Sequence, residues 1–217
     1  PADYGGVVDV FYKLKLLSES GVRIILHCYE YGRGYPQELN KYCVEVNYYS
    51  RKLNMAGLAK GYPYIVSSRN QKKLLNRLLE DDYPILFEGL HSCFFLTHPT
   101  LASRQKTVRT HNVEHNYYHA LAESERSLLK KFYFYWESLR LKKFESVLKN
   151  ANNIASISKS DADHFKRINP KTSVVSAFHS FSQVNIKPGK SDFILYHGNL
   201  SVPENDKAAL FILEEVM

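Results

Sequence analysis

Cysteine is scarce in this chain of 217 residues: the three present, Cys28, Cys43 and Cys93, are odd in number and have no C-x-x-C spacing. That excludes a disulfide framework and a cysteine-built structural zinc site, and it points to a reducing, cytoplasmic compartment. Uninterrupted apolar runs are short, and none reaches the roughly 18 residues of a transmembrane helix. No signal-peptide pattern opens the sequence, although it begins at Pro1 rather than Met, so upstream residues are expected. Zinc-finger and RNA-binding signatures are missing, as is any dense basic arm, which argues against nucleic acid as a partner.

What is present is a well-buried amount of apolar material, 44% of residues, with a heavy aromatic load of 16 Tyr and 12 Phe. That suits one domain, or one domain plus a fragment. The formal net charge of +7 calls for an anionic partner, either a phosphorylated small molecule or an anionic membrane face, unless it is only a solvated basic surface. The basic residues are dispersed, with pairs at Lys72-Lys73, Lys130-Lys131 and Lys142-Lys143.

The stretch from Arg109 to His119 organises the rest. Gln105 to Arg109 is a short β-type run, and from about Glu114 a helical period sets in through Tyr118, Leu121 and Ala122. His111 and Asn112 therefore sit where a strand ends and a helix begins, the position at which open α/β sheets bind ligands. The plainest reading makes Asn112 a helix N-cap and Glu114 a first-turn acid. The run His111-x-x-Glu114-His115 also spells a zinc-hydrolase signature, but a strand running into His111 leaves no helical turn beneath it, so no metal is expected.

In chain order, Val7 to Ser20 predicts an amphipathic helix with Val7, Val10, Phe11, Leu14 and Leu17 inward, preceded by a Gly5-Gly6 loop that offers backbone N–H groups. No strand precedes it, so a first strand is expected upstream of Pro1. Strands are expected at Val22–Tyr29, Cys43–Tyr48, Tyr64–Val66, Tyr83–Phe87, Asn153–Ser158, Ser173–Ala177 and Phe193–His197. Helices are expected at Asn70–Asp81, about Ser127–Lys149, from Ser160 as N-cap, and from Pro203 onward. The Phe132–Trp136 run reads as a packed helix, with contact to an anionic membrane surface as the alternative. Glu88 and His91 follow the tip of a strand. The fold class is α/β: a Rossmann-like, mostly parallel sheet with helices on both faces over 1–180, a linker over 181–191, and the start of a second α/β domain over 192–217.

The phrases Tyr4-Gly5-Gly6, Phe87-Glu88-Gly89, Arg109-Thr110-His111-Asn112-Val113-Glu114, Ser156-Ile157-Ser158-Lys159-Ser160-Asp161 and Tyr196-His197-Gly198-Asn199-Leu200 span nearly the whole chain in one order. In that order the chain resembles the N-terminal half of retaining glycosyltransferases of the GT-B fold, the class that builds bacterial surface polysaccharides. The resemblance implies transfer of a sugar from a nucleotide-sugar co-substrate to a saccharide or lipid-linked acceptor, with no cofactor or catalytic metal and peripheral contact with the inner membrane face. It implies His111 as the residue facing the reacting sugar. Gly5 and Gly6 would approach the diphosphate or acceptor, and Glu88 and His91 would line the acceptor side. Asn112 and Glu114 would support the His111 loop, and Ser158 and Lys159 would sit at a further strand end. Gly198 and Asn199 would stand where relatives carry Gly-Arg. The family's paired glutamates and its basic diphosphate grip have no counterpart, so this chain alone is not expected to be active. A non-catalytic sugar- or partner-binding α/β module is the alternative, with a zinc hydrolase third.

Overall fold

A computed structural model describes residues 5–30, 32, 34–52, 57, 59–181, 183, 185, 187, 189–200 and 203–217. Tyr4 of the first glycine phrase and Pro188 of the expected linker lie outside them. The chain divides into two units, Pro1–Ser180 and Phe181–Met217.

In the first unit, helix α1 (Gly5–Glu19) precedes a parallel pair, β1 (Ile25–Tyr29) and β2 (Glu45–Tyr49). Two short helices follow, α2 (Tyr64–Ser67) and α3 (Lys72–Leu78). Then come strands β3 (Ile85–Glu88) and β4 (Lys106–Thr110), the helical pair α4 (Glu114–Ser124) and α5 (Leu128–Phe144), β5 (Asn153–Ser156), α6 (Lys159–Phe165) and β6 (Thr172–Val174). Strands β3 to β6 form a parallel sheet in sequence order. Parallel neighbours need crossover connections, which α4–α5 and α6 supply between the last three strands. The fold is α/β and Rossmann-like, as the sequence predicts.

Register decides what each face of this sheet carries. Phe87, Val108 and Ile154 are aligned across β3, β4 and β5. They pack with Leu141, Phe144, Leu148 and Phe165 in one core cluster, so α5 and α6 cover that face. One residue further along, Glu88 is aligned with Arg109. Because side chains alternate along a strand, this pair points to the other face, where α1 lies.

Several expectations need correction. Tyr64–Val66 is helical rather than a strand: Pro63, with φ fixed near the helical value, stands at its start, and Val66 is fully buried in the core cluster. Gly5 and Gly6 form the first turn of α1 rather than a loop. The inward face of α1 carries Asp9, Lys13 and Leu14, while Val7, Val10, Phe11 and Leu17 are half-buried. Ser158, not Ser160, caps α6, accepting a hydrogen bond from the Asp161 N–H at 3.1 Å. The first half of α5 is exposed rather than packed, with Leu128 at 81% and Phe132 at 66% exposure.

In the second unit, residues 193–197 form no strand. An isolated extended segment has no ladder of hydrogen bonds to hold it, and among the described residues the regular element beside it is α7 (Pro203–Phe211), which continues into a π-helical turn at Ile212–Val216. Tyr196 Oη donates to the Asn205 carbonyl at 2.8 Å.

Leu141→Ala, which empties a fully buried position, is expected to lower stability by about 2–5 kcal/mol. Leu128→Ala, on the exposed side of the same helix, should change it by less than about 0.5 kcal/mol. Chemical denaturation of the two variants checks the assignment of the two faces.

Candidate functional site

The carboxyl ends of β3 and β4 deliver Glu88, Arg109 and, one residue past the strand, His111. Helix α1 crosses this edge and presents Asp9 and Lys13, one turn apart on the same side. Asp9 and Arg109 are both almost completely buried and form a forked pair: Arg109 Nη2 lies 3.0 Å from Asp9 Oδ1, and Nε lies 3.3 Å from Oδ2. Two further N–H groups of Arg109 reach the carbonyls of Val175 and Ser176, and the Phe178 N–H donates to Asp9 Oδ1 at 2.8 Å. Lys13 is buried as well, its Nζ 3.4 Å from Asp9 and 2.6 Å from Glu88. His111 Nε2 then lies 3.2 Å from Glu88 Oε2 and 3.6 Å from Asp9 Oδ2, with the ring about one-fifth exposed.

Burial works to raise the pKa of both carboxyls, but their partners outweigh it. The Arg109 hydrogen bond, the Phe178 N–H and the Lys13 charge bring Asp9 below its ordinary 3.8. His111 and Lys13 bring Glu88 below 4.5. Two carboxylates and two permanent cations make the cluster neutral without His111. Asp9, Glu88 and His111 offer three ligand atoms close enough together for a metal ion. Lys13 and Arg109 already neutralise both carboxylates, so a dication would have to displace a buried cation.

The loop beside it is tightly specified. Gly89 has φ +76°, and a Cβ there would stand 2.5 Å from the His91 ring, so any other residue would strain the backbone and push that ring aside. Cys93, which follows in the same turn, is fully buried and directs its thiol at the Gly89 carbonyl. Burial lowers the pKa of His91, whose Nδ1 lies 3.9 Å from Glu114. Asn112 is not the N-cap of α4: Val113 holds that position, and Asn112 Oδ1 is buried with no hydrogen-bond partner among the described residues.

Of the residues expected from sequence, the structure brings Glu88 and His111 together, with His91, Asn112 and Glu114 on the adjoining loops. Gly5 and Gly6 lie a turn before Asp9 on α1. Ser158 Oγ is engaged in the α6 cap, also donating to Asp161 at 2.7 Å, and Lys159 is exposed. Gly198 and Asn199 belong to the second unit. Sequence reasoning missed Asp9, Lys13 and Arg109. The signal was an Asp and a Lys four residues apart breaking into an otherwise apolar helical face.

The zinc-hydrolase arrangement is not formed. His111 faces Glu88, whereas His115 Nδ1 lies 3.2 Å from Glu145 Oε1 on the opposite side of the turn, and His164 Nε2 lies 2.7 Å from the other oxygen of Glu145. His115, Glu145 and His164 also offer three ligand atoms within reach of one ion. Each imidazole already has its own carboxylate oxygen, and the trio ties α4, the end of α5 and α6 together.

No protein-family model matches the chain. A protein of Klebsiella pneumoniae described as an uncharacterized 44.6 kDa protein in cps region is 30% identical over 229 residues, covering 100% of this chain and 57% of that protein. The chain thus spans a little over half the length of that relative, and the likeness fits a surface-polysaccharide context.

Asp9 and Glu88 bind fewer protons folded than unfolded, so their contribution to stability is complete above about pH 5 and is lost as pH falls through their depressed values. Asp9→Asn should therefore lower stability at pH 7, by about 3–5 kcal/mol for a broken buried pair. It should also flatten the acid limb of the stability curve below about pH 5. Denaturant melts at stepped pH measure both.

Proposed function

We propose that this chain is the acceptor-side half of a glycosyltransferase of the retaining GT-B type, passing a sugar from a nucleotide sugar to a saccharide or lipid-linked acceptor. The observation that supports it most is the hydrogen-bonded Glu88–His111 pair at the carboxyl ends of two adjacent parallel strands, in a chain related to a protein of a cps region.

The chemistry follows from the pair. With Nε2–H of His111 donated to the Glu88 carboxylate, Nδ1 is the acceptor on the ring, and it can hold the hydroxyl that attacks the sugar. Lys13 keeps Glu88 ionised, which fixes that tautomer. A cluster that is neutral overall suits an uncharged hydroxyl held in line, the positional part of catalysis. The first-turn N–H groups of α1 at Gly5 and Gly6, about 6 Å along the helix from Asp9, suit the donor phosphates.

The test is release of nucleoside diphosphate from uridine and guanosine sugars by the full-length gene product, with saccharide and lipid-linked acceptors. His111→Ala is expected to lower turnover about 100-fold or more, within the range for a lost acid–base group, while leaving the thermal midpoint within a few degrees. Unchanged turnover in His111→Ala overturns the assignment. Saccharide binding without turnover in the unaltered protein would mark a non-catalytic sugar-binding module.

A further inference from the structure

Glu145 opens the short turn Glu145–Asn150 that follows α5, and it is 3% exposed. Among the described residues its carboxylate meets two imidazoles: His115 Nδ1 lies 3.2 Å from Oε1, and His164 Nε2 lies 2.7 Å from Oε2. The three residues come from separate pieces of chain, namely the first turn of α4, the turn after α5 and the last turn of α6. The two rings have their centroids 5.5 Å apart. One nitrogen from each ring and a carboxylate oxygen all lie within 4.8 Å of one another.

Charge sets this trio apart from the group around His111. There, Lys13 and Arg109 already neutralise both carboxylates. Among the described residues no lysine or arginine pairs with Glu145, whose ionic partners are the two histidines. A buried carboxylate is costly unless a cation or metal compensates it. Imidazole nitrogen and carboxylate oxygen are donors that zinc takes, and two histidines with one glutamate make a complete protein set when water fills the fourth position. Ligand atoms at zinc bond lengths stand about 3.3–3.6 Å apart in a tetrahedron. The separations here, 2.7 and 3.2 Å to the carboxylate and at most 4.8 Å overall, straddle that value. Side-chain shifts of about 1 Å therefore seat an ion. The His164 side chain is 26% exposed, which gives the ion an entry path and the fourth ligand its water.

We propose that His115, Glu145 and His164 bind a divalent transition-metal ion of the zinc class, held by His115 Nδ1, His164 Nε2 and the Glu145 carboxylate. In the loaded site both nitrogens turn their lone pairs to the ion, and each ring carries its proton on the opposite nitrogen. The ion takes over the two hydrogen bonds to Glu145 and supplies the positive charge that the carboxylate lacks. It joins α4, the turn after α5 and α6 at one point, on the far side of the turn from His111. The inference is independent of the reading given to His111.

The test titrates zinc chloride, against a chromophoric chelator, into the untagged full-length gene product stripped of metal. Zinc at about 100 times its dissociation constant should raise the thermal midpoint by about 5–10 °C. Cobalt(II) in place of zinc should give the visible absorption of a four-coordinate site. Glu145→Gln keeps the size of the side chain and should weaken zinc binding at least about tenfold, since even residues that only orient a ligand cost that much. His164→Ala alters a partly exposed position, should fold with unchanged circular dichroism, and should remove about one equivalent of zinc. His111→Ala should leave zinc uptake as it is, which separates this trio from Asp9, Glu88 and His111. Absence of zinc uptake by the unaltered protein overturns the proposal. So does uptake that persists undiminished in both Glu145→Gln and His164→Ala, or uptake that His111→Ala abolishes.

Discussion

The Asp9–Arg109 pair governs the arrangement of this site. Both side chains are withdrawn from water, and an ion pair so placed recovers the cost of desolvation only when its geometry is good and every remaining donor is met. Here the guanidinium makes four hydrogen bonds: two to Asp9 and one each to the Val175 and Ser176 carbonyls after β6. The pair therefore fastens three separate pieces of chain, α1, β4 and the segment running to Phe178. Because Lys13 lies one turn beyond Asp9, seating the pair also seats Lys13 against Glu88, and Glu88 in turn orients His111. The partly exposed imidazole is the last member of a chain of contacts that begins in the interior.

Much of this fold was legible in the sequence, and the reasons are specific. Strands such as Ile25–Tyr29 and Lys106–Thr110 are β-rich runs bounded by turn residues, and α4 announces itself through a 3.6-residue period. The placement of His111 at a strand tip came from that alternation, and its proximity to Glu88 followed from two parallel strands ending together. Periodicity could not reveal Asp9 and Lys13, because an apolar period describes how much a face is buried and not what partners it finds there. Arg109 was read as a strand residue for the same reason. Its partner lies 100 positions away, and only the folded chain brings the two together. The expected strand at Phe193–His197 failed for want of neighbours: β-propensity describes fitness for a sheet, and none of the described residues beside it supplies one.

Three kinds of polar burial coexist in the first unit. In the Asp9 cluster, permanent charges cancel in pairs, and the result is rigid and neutral. At Glu145, one carboxylate serves two imidazoles from different helices. Glu137 differs again: burial raises its pKa, and a backbone N–H and Arg140 hold it. All three fasten α-helices to the sheet or to one another at places where apolar contacts alone would leave their rotation undetermined.

Helix α5 contributes Leu141 and Phe144 to the core from one side while Leu128, Phe132 and Trp136 face outward from the other. Residues on the inward side are fixed by packing, so almost any change there is removed by loss of the folded protein. Residues on the outward side carry little of the folding free energy and can be replaced one at a time without passing through an unstable intermediate. The same helix is thus conservative on one side and free to drift on the other. A lineage carrying this fold could change the surface it recognises while its interior stays as it is.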